Sequence, residues 1–193
     1  MKIIGVGCGP GMLTEQAIRE ISRATIIYGS DRAINLAKSY IPFDCTVKTI
    51  DDFKNLDKLA KDAIILSTGD PMLAGLGYLS GEVIPGISSL QVATARLHIP
   101  VSRVSVVVAH GKGHEKGMQD TVEEVKRGKI VFLLADPKFD VHELYTRLET
   151  LSQPLNIALC ENLGYPEERI LIRDIRTPPL PAEALYSLVI GNF

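Results

Sequence analysis

Ala63-Ile64-Ile65-Leu66-Ser67-Thr68-Gly69-Asp70-Pro71 carries an unbroken apolar run directly into a turn. A short apolar run bounded by turn residues reads as a strand buried on both faces, the pattern of a parallel sheet. Gly69 is expected to permit a close backbone approach that a Cβ would block. Pro71 fixes its own φ and holds Asp70 extended. Two further loops share this construction. Gly5-Val6-Gly7-Cys8-Gly9-Pro10-Gly11 follows an apolar start, and Pro85-Gly86-Ile87-Ser88-Ser89 follows Glu82-Val83-Ile84. One such loop alone is an ordinary tight turn. Open α/β sheets bind ligands at the carboxyl ends of their strands, so three together predict one shared site.

Working outward, strands are expected at residues 2–6, 25–28, 47–50, 63–66 and 82–84. Between them the spacing predicts helices. One is capped by Thr14 with Ala17, Ile18 and Ile21 on its inner face; the next has Asp31 as cap and runs through Ala33, Leu36 and Ala37. A third starts at Asp51 or Asp52 and passes Leu56, Leu59 and Ala60, and a fourth covers 88–97 with Leu90, Ala93 and Leu97 buried. Strands alternating with helices imply βαβ units and a mostly parallel sheet. A strand at 104–109 ends this pattern. Residues 110–117 hold three glycines and no apolar side chain, and read as a linker or surface loop.

A second unit follows, with a helix at 120–126, a strand at 129–135 and a helix opened by Asp140-Val141-His142-Glu143 as a capping box. Strands at 156–160, 169–173 and 185–190 then outnumber helices, which predicts a mixed sheet. The expected architecture is α/β with two α/β units, residues 1–109 with a mostly parallel sheet and 110–193 with a mixed one, and an active cleft between them.

The 193 residues suffice to bury a core in either unit. A net charge of −2 leaves no basic footprint for nucleic acid. Cys8, Cys45 and Cys160 are scattered and odd in number, which fits a reducing cytoplasm better than a disulfide framework. No apolar run approaches a bilayer span, and no signal-peptide pattern opens the chain.

A dinucleotide fingerprint fails in register. Counted from Gly5 its third glycine position holds Pro10, and counted from Gly7 it holds Met12. No Gly-Lys-Ser/Thr occurs, so there is no Walker loop. His110 and His114 raise a metal, but Gly111 and Gly113 oppose a helical i,i+4 pair, and no protein-bound metal is expected.

The three loops, in this order and spacing, resemble the tetrapyrrole methylase family. Gly5 to Gly11 with Leu13, Thr14 and Ala17 resembles its opening motif, Thr68-Gly69-Asp70-Pro71 its GDP loop, and Val83 to Ser89 its third motif. Ile130-Val131-Phe132-Leu133-Leu134 and Ala158-Leu159-Cys160-Glu161-Asn162-Leu163 resemble its two C-terminal motifs. Tyr28 to Arg32, Val108 to Lys112, Ala135 to Lys138, and Asn162 to Ile170 resemble the branch that methylates C5 of precorrin-7 or its cobalt complex in cobalamin biosynthesis. The stretch 73–81 is shorter than the helix usual after the GDP loop. Some relatives carry a fused domain for C15 methylation and decarboxylation; ending at Phe193, this chain is expected to carry the C5 activity alone.

The resemblance implies a methyltransferase that uses S-adenosylmethionine. Pro10, Gly69, Asp70, Leu73, Ser88, Ser89, Leu134 and Leu163 are its implied cofactor residues. Judged by type alone, Leu73, Leu134 and Leu163 are core residues, and Ser88 and Ser89, at the start of a helix, suit its amides as well as they suit a cofactor. Arg32, His110 and Lys112 follow strand ends and are candidates for the carboxylates of a corrin macrocycle; solvated surface charge is the plainer reading of each. No residue stands out as a general base. A homodimer is implied, with transient contact to other corrin-pathway enzymes such as the C15-methyltransferase, and neither nucleic acid nor membrane as partner. The alternatives are methylation at another ring position such as C11 or C20, methylation of a protein as in diphthine formation, and a non-catalytic nucleotide-binding module.

Overall fold

The apolar runs of the first half form short parallel strands: β1 (Lys2–Gly5), β2 (Ile26–Gly29), β3 (Thr46–Thr49), β4 (Ile64–Ser67) and β5 (Glu82–Ile84), ordered β3-β2-β4-β1-β5. The computed structural model describes residues 1–50, 56–57, 59, 62–110 and 113–193. Both faces of this sheet are covered. Ile4, Val6, Ile27 and Leu66 pack with Ala17 and Ile21 of α1 (Glu15–Ile21) and with Ala33 and Ala37 of α2 (Asp31–Ala37). On the opposite face Ile3 and Ile65 pack with Leu56, Leu76 and Leu79. Ile3, Ile4, Ile27 and Ile65 are wholly buried, and burying each contributes about 1.5–3 kcal/mol.

The helix starts follow local chemistry. Thr14 caps α1, its hydroxyl oxygen accepting from Ala17 N at 3.1 Å. Ser30, not Asp31, caps α2, accepting from Ala33 N at 3.3 Å. Asp31 lies one residue inside and accepts from Thr49 Oγ1 at 3.0 Å, tying α2 to β3. The helix expected from Asp51 or Asp52 falls largely outside the described residues, although Leu56 is buried and Leu59 packs beside it.

Contacts divide the chain into two units, Met1–Ser89 and Leu90–Phe193, ahead of the boundary expected after residue 109. The second unit includes almost all of α4 (Ser89–Arg96), which buries Val92, Ala93 and Thr94; Leu90 and Leu97, expected inside, are half-buried. Its sheet holds β6 (Val104–Ala109), β7 (Ile130–Ala135), β8 (Asn156–Glu161), β9 (Arg169–Asp174) and β10 (Tyr186–Gly191) in the order β6-β7-β10-β8-β9. Only the β6–β7 pair is parallel, so the sheet is mixed as expected. That pairing takes β6 into this sheet.

The glycines of 110–117 do not all make a loop. Helix α5 (His114–Lys126) begins inside this stretch. A Cβ at Gly117 would lie 2.6 Å from Ala109 Cβ, so this glycine lets α5 sit directly on β6. Helix α6 (Val141–Glu149) is capped by Asp140, which accepts from Glu143 N at 3.0 Å. Glu143 does not close a capping box. Its carboxylate takes Arg147 Nε at 2.8 Å instead. Val141, Leu144, Tyr145 and Leu148 of α6 are buried in a core with Leu133, Leu159, Leu188 and Ile190. Among the described residues no helix is long and apolar enough to cross a membrane.

Candidate functional site

Strand order in the first unit places the ligand loops side by side. β1 lies between β4 and β5, so the loops leaving all three start from adjacent strand ends. The chain leaves β1 through α1 on one face of the sheet, while from β4 it passes Leu76 and Leu79 on the other. Such a divergence opens a crevice at the strand ends, the usual ligand position in open α/β sheets.

The loops interlock through backbone. Gly7 N donates to Gly69 O at 3.3 Å and Gly69 N to Gly7 O at 2.8 Å, while Cys8 N donates to Ile87 O at 3.0 Å. A Cβ on Gly86 would lie 2.2 Å from Gly69 O, and one on Gly5 2.5 Å from Gly86 N. The close approach expected at Gly69 therefore occurs at Gly5 and Gly86. Gly69 is required for another reason: its φ is +70°, and a Cβ there meets nothing within 4 Å. The Gly69 backbone thus borders open space, a cradle that a side chain would fill.

Asp70 is extended, as Pro71 requires, and caps the short helix α3 (Pro71–Ala74). One carboxylate oxygen accepts from Met72 N at 2.7 Å and the other from Gly86 N at 3.2 Å. Its carboxylate therefore joins the GDP loop to the third loop. Leu73 is half-buried in α3. The short segment that follows turns back with Gly77 N on Pro71 O at 2.9 Å and buries Leu76 and Leu79. Pro10 is exposed, Ser88 buried and Ser89 half-buried at the start of α4. Arg32, half-buried on α2, donates from Nη2 to Cys8 O at 2.9 Å, which anchors it to the first loop.

In the second unit, registers Ala109↔Ala135, Tyr186↔Glu161 and Glu161↔Arg169 bring the ends of all five strands together. His110 follows β6 and Asp136 follows β7. Leu134 is half-buried near the end of β7, and Leu163 is buried just after β8. Lys112 lies outside the described residues. Asp136 accepts from His114 Nε2 at 2.8 Å and, on its other oxygen, from Lys138 N at 2.8 Å; His110 Nδ1 stands 3.9 Å away. No group of three or more His, Cys, Asp or Glu among the described residues is arranged to hold a metal ion.

Two glutamates organise the loop that carries Leu163. Glu161 is wholly buried and accepts from Ala182 N at 2.7 Å, Glu183 N at 2.9 Å and Arg169 Nε at 2.7 Å. Burial raises its pKa, but the two amides and the guanidinium outweigh this and hold it below the ordinary carboxylate value. Glu168 pairs with Arg96 at 2.6 Å and accepts from Gly164 N at 2.8 Å. Burial is opposed there too, and the Arg96 pair and Gly164 amide keep its pKa low. Asp136, Glu161 and Glu168 lie within the sequence motifs Ala135 to Lys138, Ala158 to Leu163 and Asn162 to Ile170 but carry no assigned role there. The available signal was an acidic residue immediately after an apolar strand, as in Leu134-Ala135-Asp136 and Leu159-Cys160-Glu161.

A parallel sheet with glycine loops at the ends of adjacent strands, in a chain that continues into a mixed sheet, defines an α/β protein of the class that places ligands at its strand ends. A family model, Tetrapyrrole (Corrin/Porphyrin) Methylases, matches residues 2–179, and the chain belongs to this family. It is 31% identical over 190 residues to a probable cobalt-precorrin-7 C(5)-methyltransferase of Methanocaldococcus jannaschii, covering 89% of this chain and 88% of that protein. It is 29% identical to the decarboxylating precorrin-6Y C(5,15)-methyltransferase of Mycobacterium tuberculosis, covering 97% of this chain and 51% of the relative. The crystal structure of a cobalamin-biosynthesis precorrin-6Y methylase from Archaeoglobus fulgidus superposes with a TM-score of 0.75 at 30% identity, covering 99% of this chain and 96% of that one. The protein is a methyltransferase of the tetrapyrrole methylase type.

Proposed function

We propose that this enzyme moves one methyl group from S-adenosylmethionine to C5 of precorrin-7 or its cobalt complex. The observation that carries the reading is the backbone interlock of the first-unit loops around the open cradle at Gly69. The similarity to the M. jannaschii protein directs the choice of acceptor. S-adenosylmethionine supplies an electrophilic methyl group, so the protein's task is to bind, orient and exclude water.

Pro10, Gly69, Asp70, Leu73, Ser88 and Ser89 in the first unit, with Leu134 and Leu163 in the second, are the proposed cofactor contacts. Loop backbone groups around Gly69 suit the polar ends of this molecule, and the leucines suit its apolar parts. With both Asp70 oxygens on backbone amides, its role is to shape the loop rather than to pair with the ammonium. Arg32, His110 and Lys112 are the proposed substrate contacts, with Arg32 and Lys112 meeting substrate carboxylates. We place the enzyme in the cytoplasm as a homodimer, in passing contact with neighbouring corrin-pathway enzymes. Its three scattered cysteines, Cys8, Cys45 and Cys160, fit that compartment.

The test incubates the enzyme with precorrin-7, with and without cobalt, and S-adenosylmethionine bearing a ¹³C methyl group. NMR then locates the label. Label at C5 is expected. Label at another ring carbon moves the enzyme to another branch, and absence of transfer with cofactor bound rejects a corrin acceptor.

A further inference from the structure

C5 is a trigonal bridging carbon that carries one hydrogen. When it takes the methyl group, the electron pair of the new C–C bond comes from the macrocycle, and the carbon then holds both hydrogen and methyl. Conjugation returns only if the C–H bond breaks, its electrons passing back into the ring and its proton to a base. Resting on the C5 reading above, we propose that His110 is that base, with Asp136 and His114 as its positioning residues.

The geometry separates the two imidazoles. An ionised carboxylate can only accept, so the 2.8 Å contact with Asp136 places a hydrogen on His114 Nε2. The His114 ring is further held edge-on against Phe139, with centroids 5.7 Å apart. His114 is thus committed, and its side chain is only 26% exposed. His110 is 57% exposed at the end of β6, and its Nδ1 faces the same carboxylate oxygen at 3.9 Å. The proposed proton acceptor is therefore Nε2, the ring nitrogen not turned to that carboxylate. A proton arriving there makes an imidazolium, whose Nδ1–H has an acceptor within a short movement. Catalytic hydrogen bonds are commonly loose before ligands bind.

Asp136 is well braced for this role. Its second oxygen takes Lys138 N at 2.8 Å, and its carbonyl takes the Tyr186 hydroxyl at 3.2 Å. Burial and the nearby Asp136 push the Tyr186 phenol up to about 12, so it stays a neutral donor. Lys138 contributes its backbone amide. From α5, Glu115 is engaged with Arg147 at 2.8 Å and so does not compete for the imidazoles. The balance is complete without a further reactant: the methyl donor leaves as a neutral thioether, and the proton goes to His110 Nε2 and then to water.

The test compares wild type, His110→Ala and Asp136→Asn in single turnovers, using substrate with hydrogen or deuterium at C5. General-base catalysis is worth about 10²–10⁴-fold. His110→Ala is expected to slow product formation at least about 100-fold, to show a deuterium isotope effect larger than wild type, and to recover with added imidazole. Asp136→Asn should retain part of the rate. Absorbance titration of the macrocycle without methyl donor should give a Kd within about threefold of wild type for His110→Ala, which an anchoring cation would not. A weakened Kd with an unchanged saturated rate makes His110 a carboxylate contact and overturns the proposal. So does a His110→Ala rate equal to wild type. Label at another carbon, or no transfer by wild type, overturns the C5 reading instead and the proposal with it.

Discussion

Replacing Gly86 with Ala tests how the first-unit loops are held. The new Cβ would lie 2.2 Å from Gly69 O, 2.8 Å from Gly5 C and 2.9 Å from Gly5 Cα. Ordinary contact begins at 3.4 Å, so the carbonyl must retreat by about 1.2 Å. Every atom it meets is backbone, and none can rotate away as a side-chain end would. The Gly69 amide is simultaneously pinned to Gly7 O at 2.8 Å, and Gly86 N to Asp70 at 3.2 Å. Overpacking of this kind costs about 3 kcal/mol, which in a chain of this size lowers Tm by about 6–12 °C. Urea unfolding should record the loss, and calorimetry should show S-adenosylmethionine binding weakened at least about tenfold, because the Gly69 cradle is displaced. A variant within about 0.5 kcal/mol of wild type, with unchanged affinity, would show that the loops are not packed as described.

Gly69→Val separates conformation from packing. Its Cβ meets no atom, so the stability cost is limited to the φ of +70°, about 1–2 kcal/mol, while the side chain fills the cradle and calorimetry should find no cofactor binding. Asp70→Ala removes both the α3 cap and the Gly86 tie and should cost about 2 kcal/mol by urea unfolding, with Asp70→Asn costing less. Glu161 has a lowered folded pKa, so its stabilisation is complete above the ordinary value of 4.5 and is lost as pH falls through the folded value. Wild type should therefore lose stability relative to Glu161→Gln as pH falls below about 4.5, and parallel curves would reject this account. Arg169→Met at pH 7 leaves Glu161 buried with amides alone and should destabilise by about 2 kcal/mol in thermal unfolding.

The strands and the loop order were legible because they rest on local signals: apolar runs, capping residues such as Thr14, and glycines before a turn. The assignment of β6 to a sheet was not. Val104 to Ala109 is apolar whichever neighbour it pairs with, and its partner β7 begins more than twenty residues later in the chain. Gly117 misled for a similar reason. A glycine that admits Ala109 beneath a helix has the same letter as one that frees a loop. Asp136 and Glu161 are distinguished by long-range partners, His114 for the first and Ala182, Glu183 and Arg169 for the second. No spacing rule relates these positions. Ser30 and Asp31 are equally good cap residue types, and only backbone geometry separates them.

The two units hold their loops by different chemistry, and this difference has a consequence for pH. In the first unit the loops are joined mainly amide to carbonyl, between Gly7 and Gly69 and from Cys8 to Ile87, with the Asp70 carboxylate tying the GDP loop to the third loop. In the second, carboxylates do the joining: Asp136 to His114 and the Lys138 amide, Glu161 to Arg169 and the Ala182–Glu183 amides, Glu168 to Arg96 and the Gly164 amide. Both glutamates are held below their ordinary range, so each stabilises its loop fully above pH of about 4.5 and releases it in acid. Acid should therefore loosen the 162–168 and 182–183 segments before the Gly7–Gly69 bridge. Hydrogen exchange at pH 7 and at successive pH values below about 4.5, expressed as protection relative to the intrinsic rate at each pH, can observe this through the Gly164, Ala182 and Glu183 amides against the Gly69 amide. Equal loss of protection at all four would mean that the carboxylates do not hold the second unit's loops as inferred.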